Sequence, residues 1–118
     1  MPSSDPRARL VDILENADTI RGYVAGGRFE RFASDRKTRD AVERRLERIC
    51  EAARALGNIM DERYPDVRWL DLRRFGSVLR HDYRAIDPRL VWDAITTYLP
   101  RLTNACSTEL DRLGRSGS

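Results

Sequence analysis

Val42-Glu-Arg-Arg-Leu46-Glu-Arg-Ile49-Cys50-Glu51-Ala52-Ala53-Arg-Ala-Leu56-Gly-Asn-Ile-Met60 decides the fold class of this chain. Val42, Leu46, Ile49, Ala53, Leu56 and Met60 follow one another in steps of four and three, which draws a continuous apolar stripe along one side of a helix. The opposite side is dense in charge: Arg39, Glu43, Arg44, Glu47 and Arg54. Such a stripe must be covered by other helices, so it marks the core of a bundle or of a dimer. Ser34-Asp35 supplies a start signal, and Tyr64-Pro65 a stop, because proline disfavours helical geometry in the residue before it.

Three more helical patterns flank this one. The first opens behind Ser4 or Asp5, with Pro6 suited to the first turn, and repeats Leu10, Ile13, Leu14, Ala17, Ile20 and Val24. A shorter one starts behind Asp66, buries Trp69, Leu72, Phe75 and Leu79, and runs to about Tyr83. Asp87-Pro88 then opens the last, whose apolar face is Val91, Ile95, Leu99, Leu102, Cys106 and Leu110. Pro100 falls inside that pattern and predicts a kink or a split there. No segment alternates as a strand would. The prediction is an all-α, antiparallel four-helix bundle in one domain over residues 1–118, with 114–118 a frayed tail.

Composition narrows the setting. At 118 residues there is room for one core. The net charge is +3, which admits a polyanionic partner without demanding one. Cys50 and Cys106 lie in apolar helical patterns and make no metal-ligand spacing, so neither a metal nor another cofactor is predicted. No apolar run approaches the roughly 18 residues needed to span a bilayer, and the start of the chain lacks a signal-peptide layout. The reading is a cytoplasmic protein without membrane attachment. A bundle of this length leaves an apolar stripe to be covered, which predicts a homodimer or higher oligomer with Phe29, Phe32, Trp92 and Tyr98 as candidate anchors.

His81 is the only histidine, set in Leu79-Arg80-His81-Asp82-Tyr83. An imidazole is the default group for moving protons near neutral pH; the same placement also suits a surface cap at a helix end. Helical spacing puts Ser77 and His81 on one stripe, extended by Arg73 and Arg74. Gly76, Arg80 and Tyr83 form the neighbouring stripe, on which Arg80 can lean back over the space Gly76 leaves. Arginines holding a phosphate beside a histidine suit RNA cleavage: His81 acts on the 2′-hydroxyl or the leaving oxygen, and a guanidinium stabilises the phosphorane. Arg73, Arg74 and Ser77 are the candidate phosphate contacts. The alternative is that these arginines merely solvate an exposed helix.

The segment Trp69 to Asp87 resembles the signature of the HepT-like proteins, the HEPN-domain ribonucleases formerly known as domain of unknown function 86. That signature has a tryptophan, an arginine followed by four residues, His-x-Tyr, and a stretch ending in Ile-Asp. Trp92, Leu99-Pro100, Asp40-Ala41-Val42 and Ile49-Cys50-Glu51-Ala52 resemble further family segments, the last a family Ile-Gly-Glu-Ala, so the likeness runs from about Leu10 to Leu110. The resemblance implies an all-α dimer that cuts RNA without a metal ion, with the catalytic pair near a cleft at the dimer interface. It implies a toxin encoded beside a minimal nucleotidyltransferase antitoxin of the MNT type, which transfers AMP to the tyrosine of the motif. On this chain His81 becomes the catalytic acid/base and Tyr83 the AMP acceptor, where added bulk and negative charge would repel substrate phosphate.

One position departs from the family pattern. Five residues before His81, where the family has its arginine, stands Gly76. Either Arg80 supplies the missing guanidinium, with Arg73 or Arg74 as lesser candidates, or the chain is a catalytically impaired binding subunit of a nucleotidyltransferase complex. Phe75-Gly76-Ser77-Val78-Leu79-Arg80-His81 resembles a Gly-Asn-x-Leu-Arg-His variant among HepT-like sequences, which favours Arg80.

Overall fold

Capping chemistry starts the helices where the sequence predicts. In the computed structural model, which describes residues 5–81 and 86–116, Asp5 accepts a hydrogen bond from the Arg7 amide (3.0 Å) and opens α1, Pro6–Val24. After α2, Phe29–Ser34, the Asp35 carboxylate accepts from the Thr38 amide at 3.1 Å and opens α3, Arg36–Leu56. Asp87 does the same for Arg89 (2.9 Å) at the start of α6, Pro88–Asp93. The remaining helices are α4, Ile59–Arg63, α5, Trp69–His81, and α7, Leu99–Ser116, with a 3₁₀ turn over Pro65–Val67. Among the described residues there is no strand, and the chain is the all-α bundle its patterns predict.

Three boundaries differ from the prediction. α5 begins at Trp69, after the 3₁₀ turn that contains Asp66 and after Arg68, which lies in the left-handed region, and not directly behind Asp66. The long second helix breaks at Gly57, whose φ of 69° lies in the left-handed region, and α4 is a separate turn that ends before Tyr64-Pro65. Met60 still fills its place in the core. At Pro100 the structure shows a change of winding: α6 gives way to a π segment, Ala94–Tyr98, and α geometry resumes at Leu99. Pro100 thereby falls in the first turn of α7, where its missing N–H costs least.

α3 is the centre of the bundle. Its buried face, with Val42, Leu46, Ile49 and Ala53, meets Leu10, Ile13, Ala17 and Ile20 of α1. α5 packs on another side of α3, and α7 closes against α1. Arg7 donates to the Leu113 carbonyl (2.8 Å) and Arg21 to the Thr103 hydroxyl (2.9 Å), so α1 and α7 run antiparallel. The aromatic residues named as candidate interface anchors also make contacts within the chain. Phe29 and Phe32 pack on Trp92, with ring centroids 6.3 and 5.3 Å away, and join α2 to α6. The Arg89 guanidinium caps Phe29 from 3.6 Å. Tyr98 lines a groove between α5 and the α6–α7 junction, its hydroxyl buried without a hydrogen-bond partner among the described residues.

Two contacts fix how the helices meet. The first is steric: a Cβ added to Gly76 on α5 would lie 2.5 Å from the Cys50 Cβ and 3.3 Å from its sulfur. The two backbones are therefore closer than any side chain at position 76 permits. The second is polar. Glu109 of α7, 2% exposed, accepts hydrogen bonds from Arg112 (2.8 and 3.1 Å) and from the Tyr64 hydroxyl (3.0 Å), and pairs with Arg63. These bonds, those of Arg112 first, hold its carboxyl below the usual value and clamp α4 and the 3₁₀ turn onto α7.

Gly76→Ala should lower stability by about 1–3 kcal/mol through overpacking, read as a drop in melting temperature. In a Cys50→Gly background the same substitution should cost much less. Equal costs in both backgrounds would mean that Cys50 is not the obstacle. For Glu109 the sign follows from a folded-state pKa depressed below the unfolded one. Its contribution is fully present above the ordinary carboxyl value of 4.5 and is lost as pH falls through the lower folded value. Glu109→Gln should therefore melt below the parent at pH 7 by an amount that shrinks below pH 4.5.

Candidate functional site

The candidate residues all sit on α5, and its burial pattern sorts them. Trp69, Leu72, Gly76 and Leu79 are buried, and the Trp69 indole also donates to the Tyr64 carbonyl (3.1 Å). Arg68, at φ 61°, turns the chain from the 3₁₀ turn into this helix. The outer face carries Leu70, Arg74, Ser77, Val78 and His81, all exposed. Arg74, Ser77 and His81 therefore share one accessible stripe, as their spacing predicts. Tyr83, together with 82, 84 and 85, lies outside the described residues.

The three arginines do not form one patch. Arg73 turns toward α4 and donates to both carboxylate oxygens of Asp61 (2.9 and 3.1 Å), with a longer bond to the Gly57 carbonyl (3.4 Å). The bonds from Arg73, above all, hold the Asp61 carboxyl below its ordinary range. A guanidinium used this way braces the α3–α4 break. Arg74 points outward, with no hydrogen bond or ion pair to another described residue. Arg80 leans toward α3, where its Nη1 donates to Glu51 at 3.1 Å. The space beside Gly76, read from sequence as open to Arg80, is filled by Cys50. Burial, partly offset by the charge of Arg80, pushes the Cys50 thiol up to about 12, so it is no nucleophile at neutral pH. Cys106, likewise buried, rises to about 12.

Beside Arg80 opens a cavity of about 770 Å³ between the first half of α3 and the end of α5. Arg36, Arg39, Asp40, Glu43, Arg44, Glu47, Leu79 and Arg80 line it. Burial, more than any neighbouring charge, raises the Glu43 carboxyl. The segment 28–48 holds eight basic and five acidic residues, which equals the +3 of the entire chain. The remainder is balanced, so the positive excess gathers at the α2–α3 end, against which the end of α5 packs. Among the described residues no three His, Cys, Asp or Glu side chains cluster as a metal site requires, and no helix is long and apolar enough to cross a membrane. Neither Glu51 nor Asp61 stood out in the sequence as a partner, since nothing local signals a contact made across another helix.

Comparison with known proteins now has a geometry to attach to. The model of the family "Ribonuclease HepT-like" matches residues 13–109. The chain belongs to that family. Relatives named as candidate ribonucleases include one from Methanocaldococcus jannaschii, 38% identical over 100 residues, covering 85% of this chain and 83% of the relative. A second M. jannaschii protein is 32% identical over 86% of this chain and 94% of its own length. A candidate ribonuclease HepT from Thermococcus cleftensis is 33% identical over 79% of this chain and 84% of its own. No solved structure matches.

The division of labour among the arginines is open to direct test. Arg73→Ala should lower the melting temperature, by an amount corresponding to about 1 kcal/mol for a partly exposed bidentate pair, whereas Arg74→Ala should leave it in place. An unchanged melting temperature in Arg73→Ala would mean that the pair with Asp61 does not brace the fold.

Proposed function

We propose that this HepT-like chain is a metal-independent endoribonuclease in which His81 moves the proton and Arg80 holds the scissile phosphate. The observation that carries the reading is the placement of these two residues on the last turn of α5, His81 exposed and Arg80 bordering the charged cavity. In the reaction the 2′-hydroxyl attacks the adjacent phosphorus, the bond to the 5′-oxygen breaks, and a 2′,3′-cyclic phosphate and a 5′-hydroxyl result. His81 takes the 2′-hydroxyl proton or delivers one to the departing 5′-oxygen. Arg80 meets the charge that builds on the phosphorane oxygens. Arg74 and Ser77, on the same outer stripe as His81, are placed to contact a neighbouring phosphate.

The biological setting we infer is a toxin paired with an MNT-type nucleotidyltransferase antitoxin in the cytoplasm, acting as a homodimer. One histidine per chain supplies one of the two proton transfers, and a second copy or water supplies the other. AMP placed on Tyr83, two residues after His81, would add bulk and negative charge beside the site and switch it off. The support for this setting is membership in the family together with the Trp69–Asp87 resemblance.

A second reading is favoured by a specific observation: the arginine position of the strict motif is Gly76, sealed under Cys50. On that reading the chain binds nucleotide or RNA within a nucleotidyltransferase complex and does not cut. The two separate cleanly. Under the nuclease reading, purified protein cleaves RNA in EDTA, His81→Ala lowers the rate by about a hundredfold to ten-thousandfold, and Arg80→Ala by about a hundredfold to a thousandfold. Folded protein that leaves both tRNA and mRNA intact, and yet binds the neighbour-encoded protein stably, would decide for the second.

A further inference from the structure

We infer that Glu51 is a positioning residue for Arg80, and that the close approach at Gly76 is what brings it into reach; the inference rests on the nuclease reading above. Gly76 and Arg80 are one turn apart on α5, on the side facing α3. Because position 76 has no Cβ, Cys50 can sit directly against the α5 backbone. Glu51 follows Cys50 and comes with it, so its Oε2 lies 3.1 Å from Arg80 Nη1. A side chain at position 76 would push the two helices apart and open that gap.

The form of the contact suits an anchor. Arg80 has 29% of its side chain exposed and Glu51 has 61%, so the arginine stem is packed while the ion pair sits at the rim. Among the described residues Arg80 is engaged only through Nη1, which leaves Nε and Nη2 for a phosphate oxygen. Arg80 is thereby fixed in direction without being consumed, unlike Arg73, whose fork is filled by both oxygens of Asp61. Glu47, one turn before Glu51 on α3, lines the same cavity as Arg80 and is an alternative tether. A rim ion pair contributes little to stability, so losing it should show in turnover and leave folding intact.

The experiment compares Glu51→Ala, Glu51→Gln and Arg80→Ala in the full chain, cleaving one defined RNA. Glu51→Ala should lower kcat about tenfold or more through lost orientation, with KM and melting temperature close to the parent. Glu51→Gln, which keeps an oxygen acceptor in the same place, should restore part of the loss. In the Arg80→Ala background Glu51→Ala should add nothing. An unchanged or raised kcat in Glu51→Ala, or an effect that adds in full to that of Arg80→Ala, overturns the inference. Guanidinium NMR provides a readout independent of cleavage: the Arg80 signal, identified by its loss in Arg80→Ala, should show hindered rotation that Glu51→Ala releases. If the parent cuts no RNA, the nuclease reading is what fails. The guanidinium signal then decides whether Glu51 holds Arg80, and unhindered rotation in the parent sinks that too.

Discussion

The contact between Gly76 and Cys50 is the constraint on which the site depends. Two helices packed through ordinary side chains keep their axes about 8–10 Å apart; a residue without a Cβ lets one backbone settle against its neighbour. Here that neighbour is the central helix α3, which also carries the buried stripe against α1. The register chosen at this one point passes in both directions along α5. Toward the C-terminus it sets Arg80 beside Glu51, and toward the N-terminus it sets Arg73 beside Asp61. His81, carried outward on the last turn, inherits its position from the same crossing.

Charge in this molecule is partitioned by partner and not by type. Arg73, Arg74 and Arg80 are the same residue type on one helix, and the fold gives them three fates: a bidentate brace, an outward cation, and a singly tethered group at the edge of a cavity. Which of them can serve a substrate depends on how many N–H groups the protein leaves unengaged. A mild overall charge of +3 conceals a further partition, since the excess gathers in 28–48 while the rest is neutral. A polyanion would therefore be oriented toward the α2–α3 end and the cavity beside Arg80 more than held by the molecule as a whole.

What could be read from sequence follows the range of the interactions. Asp5, Asp35 and Asp87 announced helix starts because a cap is made within two or three residues. The α3 stripe announced the core because periodicity is a property of one helix. Gly57 escaped notice because a single glycine leaves an apolar stripe unbroken, and only its left-handed φ splits α3 from α4. Which of the aromatic candidates pack within the chain was not legible, because sequence cannot say that Trp92 finds Phe29 and Phe32. Arg73 and Arg80 could not be told apart because their carboxylates lie 12 and 29 positions away.

The same logic bears on the missing motif arginine. The resemblance sets a family glycine where this chain has Cys50 and a family arginine where it has Gly76. An α3–α5 crossing this close has room for one Cβ and not two. If α3 carries the side chain, α5 must carry the glycine, and an arginine at 76 would meet Cys50 at its first carbon. On the proposed reading the guanidinium enters the site from a position that clears the crossing, and Arg80, one turn on, is the arginine of α5 beside His81. On the proposed nuclease reading, the departure from the motif accords with the packing of Cys50 against Gly76, and Glu51 steadies the replacement.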